Sequence, residues 1–460
     1  MGSISHPSGH VDNLTTWQEA KLVEVWRLAL QAFGMYNDIP KNEVARVRKF
    51  WTLGMQKINI KIEDATSQDK AMVRKFVSEG LKSIKIPPDE TEIIMNRVEL
   101  LLFEEEPISA TTNGVLAERD KSALPPAVRK VIDGYKPADL MELFWSTLRK
   151  DNPDALVLRF LRARKWDVDK AIEMMINVGW WRVGEMRVDD ITRSGEAGAL
   201  ADLSSQDVKV RKEASDFIDQ LRLGKAYLHG VDKQERPVCY IRVRLHKIGE
   251  HTRSSLEKLT VHLIETVRLT MVHPVETAVI VFDMTGFGLT NMDYLHVKFI
   301  IQCFELNYPE SLGAILVHKA PWIFSSIWPM IKGWLDPIVA EKVHFTKNVH
   351  DLEAFIRRDR IPKELSGDDD WKYHYIEPRP DENRLMKDTV TRDSLMEKRT
   401  GLFNEFRQNV YQWVTAAENG NDTTEIKNKR KEIIEKVENS YWELDPYIRA
   451  KSQIDREGLI

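Results

Sequence analysis

The period of the hydrophobic positions changes along the chain, and those changes divide it into segments. Residues 1 to about 136 read as helical with polar breaks. Thr16-Trp17-Gln18-Glu19 has the spacing of a capping box, and Trp17, Val23, Trp26, Leu30 and Phe33 follow at near-helical intervals. Clusters of Pro, Asp, Glu and Thr over 85–126 predict a loose connection with a short helix at 92–104. A helical block runs from 137 to about 187. In it, Asn152-Pro153-Asp154 reads as an N-cap, a proline at the first helical position and an acid near the positive helix end. That predicts a helix over 154–165 with Leu158, Phe160 and Leu161 inward. A second helix over 168–183 carries Ala171, Ile172, Met175 and Val178 or Gly179 on one side.

Beyond about 221 strands and helices alternate. Segments 226–229 and 238–243 flank a polar turn and predict a hairpin. A helix over 255–272 follows, then the apolar run 277–282, which suits a strand covered on both faces. Next come a helix over 293–307, strands at 314–317 and 343–345, and a helix over 349–358. This order predicts an α/β unit with a mainly parallel sheet and right-handed crossovers. After 370 the chain turns polar and helical again, at roughly 381–416 and 424–452.

Segment 321–335, PWIFSSIWPMIKGWL, interrupts this alternation. Phe324, Ile327, Trp328, Ile331 and Leu335 form a helical stripe, but Trp322, Ile323, Met330 and Trp334 lie outside it. Pro329 is expected to split the segment into two short helices. Two readings fit: a helix buried in a large core, or a mobile lid that covers a ligand and dips into a membrane. Each such side chain leaving water contributes roughly 1.5–3 kcal/mol, so three or four suffice for transient docking.

Composition narrows the classes. The chain has 460 residues, 42% hydrophobic, and a formal charge of -4, so no basic field argues for nucleic acid. Its two cysteines, Cys239 and Cys303, exclude a disulfide framework and fit a reducing compartment. Met1 to His10 is too polar for a secretion signal, and His6 stands where a myristoylation signal needs Ser or Thr. No apolar run approaches the roughly 18 residues needed to span a bilayer. A soluble, cytoplasmic protein is expected. The chain has no G-x-S-x-G elbow, phosphate loop or H-E-x-x-H, and Asp283 at a strand end reads better as a turn residue than as a catalytic acid. No enzyme, cofactor or metal is expected.

Taken singly, Arg164 and Lys165 at a helix end, Glu310 after Asn307-Tyr308-Pro309, and Lys342 after Leu335-Asp336-Pro337 are ordinary surface charges. Together with other motifs they carry a resemblance. Leu158-Arg159-Phe160-Leu161-Arg162-Ala163-Arg164-Lys165-Trp166 resembles the N-terminal signature of the CRAL-TRIO family, which includes the yeast-type phosphatidylinositol transfer proteins. The likeness continues through Arg236-Pro237-Val238, Phe282-Asp283-Met284-Thr285-Gly286, Tyr308-Pro309-Glu310, Leu335-Asp336-Pro337 and Ile361-Pro362-Lys363-Glu364-Leu365-Ser366-Gly367. It covers about 140–370, and the helical flanks resemble those of the extended fungal members.

The resemblance implies a helical tripod beside an α/β domain whose sheet floors a lipid cavity closed by a gating helix. It implies four segments: an N-terminal helical extension with linker (1–136), the tripod (137–195), the lipid-binding domain (221–368) and a C-terminal helical extension (371–460). The gate would comprise Trp322, Phe324, Ile327, Trp328, Ile331, Trp334 and Leu335. The inositol phosphate headgroup would meet Arg164, Lys165, Glu310 and Lys342, where cations suit phosphate and a carboxylate accepts from inositol hydroxyls. The positions where choline-binding members carry tyrosines and a Ser/Thr pair hold Leu228, Cys239, Gly288 and Thr290, which favours a more apolar second ligand, such as a sterol or isoprenoid. The implied partners are phosphatidylinositol, that second lipid and, transiently, a membrane surface; a monomer is expected. A lipid-sensing scaffold that recruits a protein partner through its flanks is the alternative.

Overall fold

The computed structural model describes residues 7–34, 51, 54–55, 66–83 and 124–460. The chain divides into two compact units, one of Met1–Ala29 with Pro126–Ile460 and one of Leu30–Pro125. The connection and helix expected within 85–126 lie almost wholly outside the described residues.

Helix α1, Thr16–Ala32, starts on a capping box one residue earlier than the spacing suggested. The Thr15 N–H donates to Gln18 Oε1 (2.9 Å) and the Gln18 N–H to Thr15 Oγ1 (3.2 Å). Of the residues expected inward, Trp26, Leu30 and Phe33 are buried, together with Leu22, Val25, Leu28 and Ala29, whereas Val23 is half-buried and Trp17 exposed. In the unit Leu30–Pro125, helix α2, Ser67–Ser83, buries Val73 and Val77, and Gly54 lies against Val73 where a Cβ would meet its Cγ1 at 2.7 Å.

The larger unit continues with α3 (Pro126–Ile132), α4 (Pro137–Leu148), α5 (Pro153–Ala163) and α6 (Val168–Trp180). Asn152 caps α5 as expected, accepting from the N–H groups of Asp154 (2.8 Å) and Ala155 (3.3 Å). Helices α7 (Val188–Asp202) and α8 (Val208–Leu223) were not anticipated. Yet α8 buries Ala214, Phe217, Ile218 and Leu221 at the spacing of one helix face.

The sheet then forms. Its strands are β1 (Ala226–Val231), β2 (Pro237–Arg242), β3 (Ala278–Asp283), β4 (Leu312–His318) and β5 (Val343–Thr346), in spatial order β1-β2-β3-β4-β5. The first pair is antiparallel and the rest parallel. The crossovers are α9 (Arg253–Thr270), α10 (Tyr294–Gln302), and the pair α11 (Phe324–Lys332) and α12 (Pro337–Glu341). Right-handed crossovers that all step the same way fall on one face of a sheet. The opposite face needs other cover, and receives it from α13 (Val349–Leu352), with Ile356, Ile361 and Leu365 packed on Val238, Tyr240, Val279, Val281 and Leu316. The helix expected over 349–358 therefore stops after one turn, because the chain must fold back over the sheet. Within that cover Gly367 has no room for a side chain: a Cβ would lie 2.0 Å from the Ile361 carbonyl oxygen.

Helices α14 (Thr389–Glu418) and α15 (Thr424–Ile448) pack against each other and brace the tripod, and a short α16 (Gln453–Arg456) follows. Asp154 Oδ1 accepts from Trp26 Nε1 (2.8 Å) and Arg430 (2.6 Å), joining the chain's first helix, α5 and α15. Trp145 stacks on Phe403 with centroids 4.1 Å apart. Trp413 and Tyr441 are buried, whereas Trp442 remains partly exposed.

Candidate functional site

A cavity of about 230 Å³ lies between the sheet and its crossovers. Its floor uses every second strand residue, Cys239 and Ile241, then Ala278, Ile280 and Phe282, while Val238, Tyr240, Val279 and Val281 point into the opposite core. Leu259, Leu263 and Val267 of α9 and Val297, Ile300 and Ile301 of α10 form the walls. The surroundings are almost entirely apolar, so the space suits hydrocarbon rather than a polar substrate.

Helix α11 closes one side. Phe324, Trp328, Ile331 and Leu335 line the cavity, and Ile327 is buried beside them. Trp334 instead packs on α10, with Tyr294 at 6.0 Å and the Lys298 ammonium 4.6 Å from its ring. Trp322 is 85% exposed. Pro329 does not split the segment, which is one helix of nine residues. Proline forfeits one intrahelical hydrogen bond, and packing of the apolar stripe on the cavity outweighs that loss.

The charged candidates separate into two groups. Glu310 and Lys342 come together, Oε2 to Nζ 3.9 Å, each about a quarter exposed (25% and 24%). Their chain neighbours Ser311 and Val343 line the cavity, so the pair sits beside its wall. Arg164 and Lys165 end α5. Among the described residues the Arg164 guanidinium reaches only the carbonyl of Ala163 (3.4 Å), and Lys165 is exposed and forms no ion pair. Arg162 of the same helix bonds Glu276 at 2.9 Å; burial lowers its pKa, against the opposing pull of Glu276 and Glu310.

The four positions assigned to a second ligand also diverge. Cys239 lines the cavity, its thiol pushed up to about 12 by burial. Leu228 packs behind it in a cluster with Val267, Met271 and Ile454. Gly288 and Thr290 do not line the cavity: they belong to the turn after β3, where the Gly288 N–H donates to Asn291 Oδ1 (2.7 Å) and Thr290 is exposed.

One group of polar residues facing the cavity was not legible in the sequence. Gln220, Lys225, His246, Asn291, Asp293 and His296 gather at one end of it. They come from three separate stretches, and no motif links them. A second set is the buried ion cluster around Glu265 on α9. Its carboxylate accepts from Arg182 (2.6 Å), Arg268 (3.2 Å) and the Tyr308 hydroxyl (2.7 Å) and forms an ion pair with Arg149 (2.6 Å), and Arg268 also bonds Asp151 (2.7 Å). Burial alone would raise the Glu265 carboxyl, but the three guanidiniums hold it well below the usual carboxylate range. Asp283 is likewise structural, bonding Arg244 at 2.6 Å and the Thr285 N–H at 3.0 Å.

Residues 221–367 match the CRAL/TRIO domain and residues 116–177 the CRAL/TRIO, N-terminal domain. A CRAL-TRIO domain-containing protein of Schizosaccharomyces pombe is 38% identical over 453 residues, covering 98% of this chain and 92% of that protein. The phosphatidylinositol transfer protein CSR1 of Eremothecium gossypii is 39% identical over 332 residues, 72% of this chain and 73% of its own. Among solved structures, the crystal structure of Sfh5 aligns over 55% of this chain and 86% of its own, with a TM-score of 0.40 and 17% identity.

Proposed function

The chain belongs to the CRAL-TRIO family, and on that premise we propose that it carries phosphatidylinositol between membranes without covalent chemistry. The observation that carries this reading is the apolar cavity under α11 with the Glu310–Lys342 pair beside it. Acyl chains occupy the cavity, and the inositol phosphate engages Lys342, Glu310 and, across the end of α5, Arg164 and Lys165. The 39% identity to a phosphatidylinositol transfer protein supports the choice of headgroup.

The energetics favour a carrier of this design. Desorbing a two-chain lipid exposes about 30 methylenes at about 0.8 kcal/mol each, so unaided transfer is slow. A cavity of matched hydrocarbon character offsets that cost. Trp322, Met330 and Ile338 are exposed on the closing segment, where water opposes them and a bilayer would accept them. Membrane contact then shifts the population toward an open form in which α11 swings away. The protein acts in the cytoplasm and touches membranes transiently; among the described residues no helix is long and apolar enough to cross one. A second, more apolar ligand of sterol or isoprenoid type exchanges for the phospholipid, consistent with Cys239 on the floor and Leu228 behind it.

Vesicle-to-vesicle transfer of labelled phosphatidylinositol tests the reading. Wild-type protein is expected to accelerate it, and Trp328→Ala with Trp334→Ala to slow it on membranes while lipid remains bound. Tight binding without any transfer would favour a sensor over a carrier.

A further inference from the structure

Among the described residues an arginine and a lysine line the cavity, and only the arginine is paired with carboxylates. Arg268 meets Glu265 and Asp151. Lys225, 5% exposed, has no carboxylate within 4.0 Å among the described residues. Its ammonium is held by neutral acceptors only, Gln220 Oε1 (3.3 Å), His246 Nδ1 (3.4 Å) and His251 Nδ1 (3.2 Å), all long for a charged donor. Burial lowers the Lys225 pKa to about 8, and lowers His296 to about 4 and His246 below its ordinary value. At neutral pH the positive charge at this end therefore resides on Lys225, flanked by uncharged imidazoles.

Three carboxylates, Glu250, Asp216 and Asp293, act on that charge from beyond ion-pair distance, and Asp216 is bonded elsewhere, to Lys212 and to the Thr252 N–H (2.7 Å). Asp293 is engaged elsewhere: Oδ1 accepts from the N–H groups of Leu295 and His296 (3.1 Å each), and Oδ2 faces His246 Nε2 at 3.5 Å. His296 lines the cavity with an Nδ1 that has no hydrogen-bond partner among the described residues. Strand register separates this cluster from the Glu310–Lys342 pair. Lys225 precedes Ala226, which pairs with Ile241 and through it with Phe282 near the end of β3, whereas Glu310 and Lys342 precede the starts of β4 and β5.

We propose that this end of the cavity binds the acid group of a monocarboxylic lipid, whose carboxylate pairs with Lys225 while its hydrocarbon follows the apolar floor. A neutral hydroxyl would leave the ammonium with no carboxylate in contact. A phosphate dianion would bring a second negative charge toward Asp293. One carboxylate matches one cation. The inference rests on the cavity being a lipid site, and it narrows the second ligand from a neutral lipid to an acid-tipped one.

Oleate and methyl oleate, titrated calorimetrically into the full-length protein, differ only at the end group. Oleate is expected to bind about tenfold or more tightly than the ester, the worth of one charge-assisted hydrogen bond. Lys225→Met should abolish that preference by weakening oleate alone, with the ester as the internal check that the variant is folded. Equal affinities for acid and ester in the wild type, or an undiminished preference in Lys225→Met, would overturn the proposal. Phosphatidylinositol transfer measured alongside separates the two readings. If transfer persists while acid and ester bind equally, only this inference falls. If transfer is absent and neither oleate compound binds, the carrier reading falls with it.

Discussion

Arg268 and Lys225 both place a cation against the same apolar cavity, and they are housed in opposite ways. Arg268 belongs to a closed cluster in which the carboxylates of Glu265 and Asp151 pair with three guanidiniums and Glu265 also accepts from the Tyr308 hydroxyl. Lys225 is surrounded by neutral acceptors. A buried ion pair is costly to break, because the partner left behind is charged and dry, whereas a buried cation with no carboxylate in contact is already a cost to the fold. The first arrangement holds α9 to the tripod. The second is a site that the fold tolerates rather than needs.

Substitutions on each side should diverge accordingly. The largest effect is expected from Glu265→Ala, which strands three guanidiniums and should lower stability by about 3–5 kcal/mol in denaturant titration. A loss near zero would dissolve the contrast. Acid should expose the same cluster. A carboxyl with a depressed folded pKa contributes stability above its unfolded value, and that contribution is lost as pH falls through the folded one. Wild-type stability should therefore fall steeply on strong acidification, and less so in Glu265→Gln, which starts lower.

Lys225→Met should act in the other direction, leaving the melting temperature unchanged or higher. Its pH signature has a defined sign. With a folded pKa near 8 and an unfolded one near 10.4, the unfolded chain holds more protons between those values, so wild-type stability rises with pH across that window. Lys225→Met should lack that rise, measured as the difference between the two proteins' pH–stability curves. The smallest effect on stability belongs to Lys165→Ala with Lys342→Ala, about 1 kcal/mol or less because both side chains reach water. The same double variant should abolish phosphatidylinositol transfer, and unchanged transfer would remove the headgroup assignment.

The strands and crossovers were legible because burial leaves a simple trace: the run at 277–282 and the helix between 255 and 272 both appear within two residues of their expected places. Helix α8 was legible in principle, through Ala214, Phe217, Ile218 and Leu221, but its many charges obscured that face. The cap of α1 slipped by one residue because Thr15–Gln18 and Thr16–Glu19 have the same spacing. The pairing of Glu310 with Lys342 follows from motifs at the starts of two parallel strands. The Lys225 cluster could not be read this way. Its members stand at 220–225, 246 and 291–296, and only the sheet register brings them together.

The sheet order β1-β2-β3-β4-β5 has a consequence for how such a protein can diversify. Since the crossovers share one face, the volume above the floor is set by connections that can lengthen, shorten or change side chains without disturbing strand pairing or the core beneath. Segment 321–335 is one such connection. A lineage could therefore trade one cargo for another by editing a single loop-and-helix insert, while the half of the domain that makes it fold stays under separate constraint.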